Sequence, residues 1–321
     1  MEYIIFFISL FFLIKAGDKF VDSSINIAKY FNLPEVVIGA TIVSIGTTLP
    51  ELMVSAGGAL SGHSDISYGN AIGSIICNTA LIAALSVSVK PINVSRKSLK
   101  VPLCFFIISA IYYILIININ HQFKRIDGIV LLSIFIIYVL VIIFTEGKNN
   151  KNNIEENNVE KQQNNMIFKN ILYLILSAAI IAISSNLIVE NGIIIAKKIG
   201  VPESVIALTM IALGTSIPEL TTCITSLIKG HSNLSFGNII GANFLNIVTV
   251  SGISIIIRPF SLPSEKTIFG INSSFIIDIP LMVFVVLFLY LIAYIKEKTY
   301  RFQGIILLLM YAFFVSYQFL N

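Results

Sequence analysis

Two glutamates carry the chemistry this sequence offers. Glu51 and Glu219 each end a Gly-Thr-Thr/Ser-x-Pro-Glu block, Gly46-Thr47-Thr48-Leu49-Pro50-Glu51 and Gly214-Thr215-Ser216-Ile217-Pro218-Glu219. Both sit inside long apolar runs, where an ionised side chain costs roughly 2.5–3.5 kcal/mol on insertion scales. One such carboxyl could simply be protonated and bonded to a neighbour, but two at duplicated positions in one motif point to a use. Pro50 and Pro218 have no N–H and clash with the carbonyl four residues earlier, so each helix is expected to break near Gly46–Thr47 and Gly214–Thr215. The freed carbonyls, the two carboxylates and the hydroxyls of Thr47, Thr48, Thr215 and Ser216 form an all-oxygen set, which suits hard cations such as Ca²⁺. Two carboxylates neutralise one divalent ion.

The next apolar run in each copy opens Gly-Asn-x-Ile-Gly, at 69–73 and 237–241, and adds Ser74 and Asn78 in one copy, Ala242 and Asn246 in the other. Ser74 and Asn78 are four residues apart and share a helix face. Gly69, Gly73, Gly237 and Gly241 would let this helix approach a neighbour closely. The asparagines need hydrogen-bond partners in an apolar setting. His63 and His231 also repeat, but in short polar turns, where a loop role is expected. Asp127, near Arg125, is read as a helix-end cap or an interfacial partner, and Asp278, beside Pro280, as the partner of a helix break.

The elements holding these residues are membrane spans. Of the 321 residues, 56% are hydrophobic and only 12% charged, with a mean hydropathy of +0.90, whereas soluble domains carry roughly 25% charged residues. Apolar runs of spanning length fall near 2–22, 36–60, 66–89, 101–120, 125–144, 167–189, 203–228, 234–257, 271–295 and 302–320. Without hydrogen-bond partners in lipid, runs of this kind must be helices. The fold class expected is therefore an all-α integral membrane protein of about ten transmembrane helices. Met1-Glu2 lacks the basic leader of a signal peptide, so the first run is expected to be a retained span.

The chain divides into two. Residues 146–166 are rich in Asn, Glu, Gln and Lys and are expected to form a disordered cytoplasmic linker between a first five-helix repeat, 1–145, and a second, 167–321. Aligning 33–92 with 201–260, a shift of 168 residues, gives 21 identities over 60 positions without a gap. An odd number of spans per repeat inverts the second in the membrane, a transporter arrangement with a site at the midplane. With the N-terminus outside, 15 of the 21 Lys and Arg residues fall at cytoplasmic ends, in keeping with the positive-inside rule. Both termini are then outside the cell membrane and the linker inside. The net charge of +4 follows from this placement, with no call for nucleic acid. Cys77, Cys104 and Cys223 lie within spans and are read as packing residues.

The two blocks resemble the α-repeats of the sodium/calcium exchanger family of cation/Ca²⁺ antiporters, in its compact prokaryotic form, over essentially the whole chain. The resemblance implies a secondary antiporter rather than an enzyme, with Ca²⁺ and Na⁺ as transported ions, no cofactor and no obligatory protein partner. It implies a calcium site of Glu51 and Glu219 with the carbonyls of Thr47 and Thr215. Sodium sites would flank it, using the Ser44 and Ala212 carbonyls, Thr48, Ser74, Ser216, Asn78 and Asn246. Two positions depart from the family pattern: many members carry an acid where this chain has Asn246 and a hydroxyl where it has Ala242, which leaves one sodium site a ligand short. Proton- or potassium-coupled calcium exchange and a passive cation channel remain alternatives at this level. An intramembrane hydrolase does not, for want of a nucleophile–base set or aspartyl dyad.

Overall fold

The structure, a computed structural model, describes residues 1–31, 33–120, 122–150, 160–198, 213–262, 267–268 and 271–320. In chain order its helices are α1 (Glu2–Tyr30), α2 (Glu35–Thr47), α3 (Leu49–Leu60), α4 (Ser64–Val89), α5 (Arg96–Asn120), α6 (Arg125–Asn150), α7 (Glu160–Lys198), α8 (Ile217–Ile228), α9 (Ser232–Ile257), α10 (Ser274–Lys296) and α11 (Arg301–Leu320). Residues Thr267–Ile268 and Ile271–Asn272 pair as a two-residue antiparallel hairpin. The all-α membrane fold expected from composition is the one observed. Among the described residues six helices are long and apolar enough to cross a membrane, and seven if α2 and α3 count as one bent span. That criterion stops short of ten. The runs read at 2–22 and 302–320 fall on α1 and α11, and that at 203–228 is described only from residue 213.

The helices of the expected linker extend further than composition suggests, α6 to Asn150 and α7 from Glu160. The intervening 151–159 lie outside the described residues.

Burial separates inner spans from outer ones. The spanning windows of α4 and α9 are 72% and 83% buried, against 17–44% for α5, α6, α7 and α10. α4 and α9 are the two helices that begin after His63 and His231 and carry the Gly-Asn-x-Ile-Gly motifs, so the duplicated sequence forms the centre. The outer helices present Ile, Leu and Phe side chains such as Ile137, Phe144, Ile183 and Phe284 outward, as lipid requires. α1 lies along α7 on one side.

Mirrored turns lead into both central helices. Gly62 and Gly230 adopt φ of +86° and +82°, left-handed values that glycine reaches without steric cost. The amides that follow fold back alike: His63 N–H donates to Gly58 O at 2.8 Å and His231 N–H to Ser226 O at 2.7 Å. Both are helix C-caps of the kind glycine makes.

Candidate ion-binding site

Each half-helix pair breaks where its proline permits. α2 and α3 meet with a bend of 46°. The break residue is Thr48, with φ −82° and ψ −1°, and its mirror Ser216 has φ −88° and ψ 7°. Both breaks come one residue or more after the expected position, because Pro50 and Pro218 occupy the first turn of the following helix. A proline there loses no hydrogen bond within its own helix, while the Gly46 and Gly214 carbonyls lose the donor that position would otherwise supply. Glu51 and Glu219 follow directly, in the first turns of α3 and α8.

The carboxyl groups face one another. Glu51 lies beside Glu219 and Ser216, and Glu219 beside Thr47 and Thr48. Both glutamates are fully buried, yet among the described residues none of their four carboxylate oxygens has a hydrogen-bond partner. The Thr48 and Ser216 hydroxyls and both side-chain atoms of Asn78 and of Asn246 are likewise buried and unpartnered. Buried polar atoms in folded proteins are nearly always satisfied, so the open carboxylate and hydroxyl oxygens around Glu51 and Glu219 make a candidate site for a cation. No cluster of three or more His, Cys, Asp or Glu side chains forms among the described residues. Any further ligands to an ion held there would be hydroxyl, amide and carbonyl oxygens, which suit a hard ion.

Asn78 and Asn246 each open a segment of π-helix, Asn78–Ala83 and Asn246–Ser251. In the second, Ser251 Oγ donates to Asn246 O at 3.0 Å. Single π turns inside α-helices occur often at functional sites, where they re-aim a side chain. A third π segment, Gly39–Val43 in α2, is held by Tyr138 O–H donating to Ala40 O at 2.7 Å.

Of the expected site residues, all but one lie among the described residues. Ser44, Thr47, Thr48, Glu51, Ser74, Asn78, Thr215, Ser216, Glu219 and Asn246 are all buried, and Ser74 Oγ lies 3.5 Å from Thr215 Oγ1 across the two repeats. Ala212 lies outside the described residues.

Two residues went unrecognised as part of this site in the sequence. Asn70 and Asn238 bind threonines of the opposite repeat, Thr215 Oγ1 donating to Asn70 Oδ1 at 3.0 Å and Thr47 Oγ1 to Asn238 Oδ1 at 3.1 Å. Their signal was the repetition of Gly-Asn itself.

Gly237 and Gly241 do provide the close approach expected of them. A Cβ on Gly237 would stand 2.2 Å from Val36 O, and one on Gly241 2.5 Å from Ser44 Oγ. A Cβ on Gly69 would meet nothing within 4 Å among the described residues. The positions mirroring Val36 and Ala40 are 204 and 208, outside them.

The residues set aside keep structural roles. Asp127 Oδ2 accepts from Lys124 N–H at 2.7 Å, a helix-start cap. Asp278 accepts from Ser274 Oγ at 2.9 Å and from Gln318 Nε2 at 3.3 Å around a π turn. His231 precedes α9 and its Nδ1 lies 2.8 Å from Glu35 Oε1.

A pair of buried glutamates, each just after a helix break, invites comparison with known proteins. The family described as sodium/calcium exchanger protein matches residues 1–144 and 169–320. This chain belongs to that family. An uncharacterized membrane protein of Methanocaldococcus jannaschii is 34% identical over 309 residues, covering 95% of this chain and 94% of its own. The sodium/calcium exchanger MaX1 of Methanosarcina acetivorans is 29% identical over 98% of this chain and 97% of its own. Among solved structures, the sodium-calcium exchanger NCX_Mj soaked with Na⁺ and Sr²⁺ superposes with a TM-score of 0.82 at 30% identity, covering 98% of this chain and 97% of that one. The exchanger family is one of transporters, and its fold is that of a multi-pass membrane protein. Family membership rests on both repeats and leaves out only 145–168 and the last residue.

Proposed function

We propose that this exchanger carries Ca²⁺ across the membrane against Na⁺ by alternating access, with Glu51 and Glu219 as the pair that neutralises the divalent ion. The observation that carries this reading is the open pair itself: four carboxylate oxygens, fully buried, facing each other and unpartnered among the described residues. A Ca²⁺ ion takes 6–8 oxygens. The Thr47 and Thr215 carbonyls stand beside the carboxylates in sequence and complete the proposed calcium shell. Sodium ions take the flanking oxygens of Thr48, Ser74, Ser216, Asn78 and Asn246, with the Ser44 and Ala212 carbonyls. Sites packed side by side around one pair of carboxylate charges make occupancy by Ca²⁺ and by Na⁺ mutually exclusive, which is what antiport needs.

The same reading divides the chain into inverted repeats 1–145 and 167–321 around the linker 146–166, places the linker in the cytoplasm with both termini outside, and needs no cofactor and no protein partner beyond the bilayer and the two ions. The positive-inside distribution supports this orientation.

The test is calcium uptake into proteoliposomes under imposed sodium, potassium or proton gradients. Uptake driven by the sodium gradient is expected, and Glu51→Gln and Glu219→Gln should each reduce it to background, because an amide is a weaker ligand and one negative charge cannot balance the ion. Near-normal flux in either variant would remove the glutamates from the site. Flux driven by protons or potassium alone would leave the site and replace the coupling ion.

A further inference from the structure

We infer that Asn70 and Asn238 are positioning residues that keep threonine hydrogens away from the cation oxygens. The inference rests on the ion site proposed above and explains how its oxygens stay open.

A threonine hydroxyl inside a helix ordinarily donates to a carbonyl three or four residues back in its own chain. Thr47 has that option, with Ser44 O at 3.4 Å, but its shorter bond, 3.1 Å, runs across to Asn238 Oδ1 of the other repeat. A second acceptor, the Glu219 carboxylate, lies beside it. Either local choice would place the only hydroxyl hydrogen of Thr47 on an oxygen proposed to hold an ion. The asparagine takes that hydrogen instead, so the Ser44 carbonyl keeps a lone pair beyond the one given to Thr48 N–H, and the carboxylate stays unpartnered.

The other repeat does the same. Thr215 Oγ1 donates to Asn70 Oδ1 at 3.0 Å. The orientation of the Asn70 amide is fixed by its other end, since Nδ2 donates to Glu51 O at 3.0 Å and to Ser55 Oγ at 2.9 Å. The carbonyl oxygen of the amide must then face Thr215. Asn70 and Asn238 are both buried and 168 residues apart, as are Thr47 and Thr215. Two crossed bonds of matching donor, acceptor and length, formed between opposite repeats, are a device of the site and not of one helix. Packing alone would be served by any side chain of similar volume; a hydrogen acceptor at this point serves the ion.

The mechanism predicts a suppression that a packing role does not. Asn238→Leu keeps volume and removes the acceptor, so the Thr47 hydroxyl turns to Ser44 O or Glu219 and competes with the ion. In sodium-driven uptake, its KM for Ca²⁺ should rise about tenfold, the order expected for one hydrogen bond to a charged group, with maximal flux little changed. Thr47→Val added to it removes the competing hydrogen, and KM should return to within about twofold of Thr47→Val alone. Asn70→Leu, alone and with Thr215→Val, repeats the comparison on the other repeat and decides the matter if the first pair does not insert. An unchanged KM in the leucine variants, or a double variant whose defect is the product of the two single ones, would overturn the inference. Those outcomes with Glu51→Gln and Glu219→Gln still inactive would leave the ion site standing, whereas active glutamine variants would remove the site itself.

Discussion

At the scale of single residues, the two repeats are equal at the glutamates and unequal beside them. Ser74 Oγ of the first repeat lies 3.5 Å from Thr215 Oγ1 of the second. The mirrored position holds Ala242, fully buried. A hydroxyl is missing from one side of the cluster. Ala242→Ser should therefore lower the sodium concentration needed for half-maximal calcium exchange, by about two- to tenfold for one added oxygen ligand or hydrogen bond of the usual size. Sodium titration of calcium flux in proteoliposomes reads this directly, and an unchanged or weaker sodium dependence would show that position 242 does not face the ions. The amides Asn78 and Asn246 belong to the same scale. They offer oxygens that do not titrate, each at the start of a π turn.

At the scale of elements, the site depends on how closely α9 lies against α2. The Gly237 and Gly241 backbones meet Val36 and Ala40 so tightly that an added Cβ would stand 2.2 Å from Val36 O and 2.6 Å from Ala40 Cα. Backbone atoms cannot swing aside as a side chain would. Gly237→Ala should cost about 1–3 kcal/mol, the usual range for forced overpacking, and should separate Thr47 from Asn238 in the bargain. Gly57 provides the control: it is exposed on α3, and an added Cβ would meet nothing within 4 Å among the described residues. Gly57→Ala should be neutral or stabilising by up to about 1 kcal/mol through helix propensity. Thermal unfolding in detergent should separate the two by several degrees, and equal melting temperatures would mean that the α2–α9 contact bears little of the stability.

At the scale of the whole molecule, the two repeats are joined through space as well as through the chain. Thr47 with Asn238, Thr215 with Asn70, and Thr79 with Asn243 at 2.6 Å all cross between them, and α1 lies along α7. The family match passes over 145–168. The covalent link between Asn150 and Glu160 should then be dispensable once the protein has inserted. A protease site placed in 151–159 and cut in reconstituted vesicles should leave sodium-driven calcium uptake largely intact. Loss of uptake on cutting, with the two pieces still co-purifying, would assign the linker a part in the transport cycle.

The sequence by itself determined the membrane class, the duplication and the ion chemistry. Lipid admits few solutions: apolar runs must be helices, two buried carboxylates must have a purpose, and a proline must interrupt what precedes it. Those constraints are local and survive without coordinates, which is why motif and spacing single out Glu51, Glu219, Thr48, Ser216, Asn78 and Asn246, all of them buried with unpartnered polar atoms among the described residues. Only the tertiary structure decided which atoms meet across the repeats. Asn70 and Asn238 read as ordinary polar residues beside a glycine, because their partners Thr215 and Thr47 are 145 and 191 residues away in the chain. The same holds for Gly237 and Gly69, alike in sequence, of which the first abuts Val36 and the second has no neighbour within reach among the described residues. A helix pattern fixes which side a residue lies on; what stands opposite depends on how two distant helices pack, and that is settled by the whole fold.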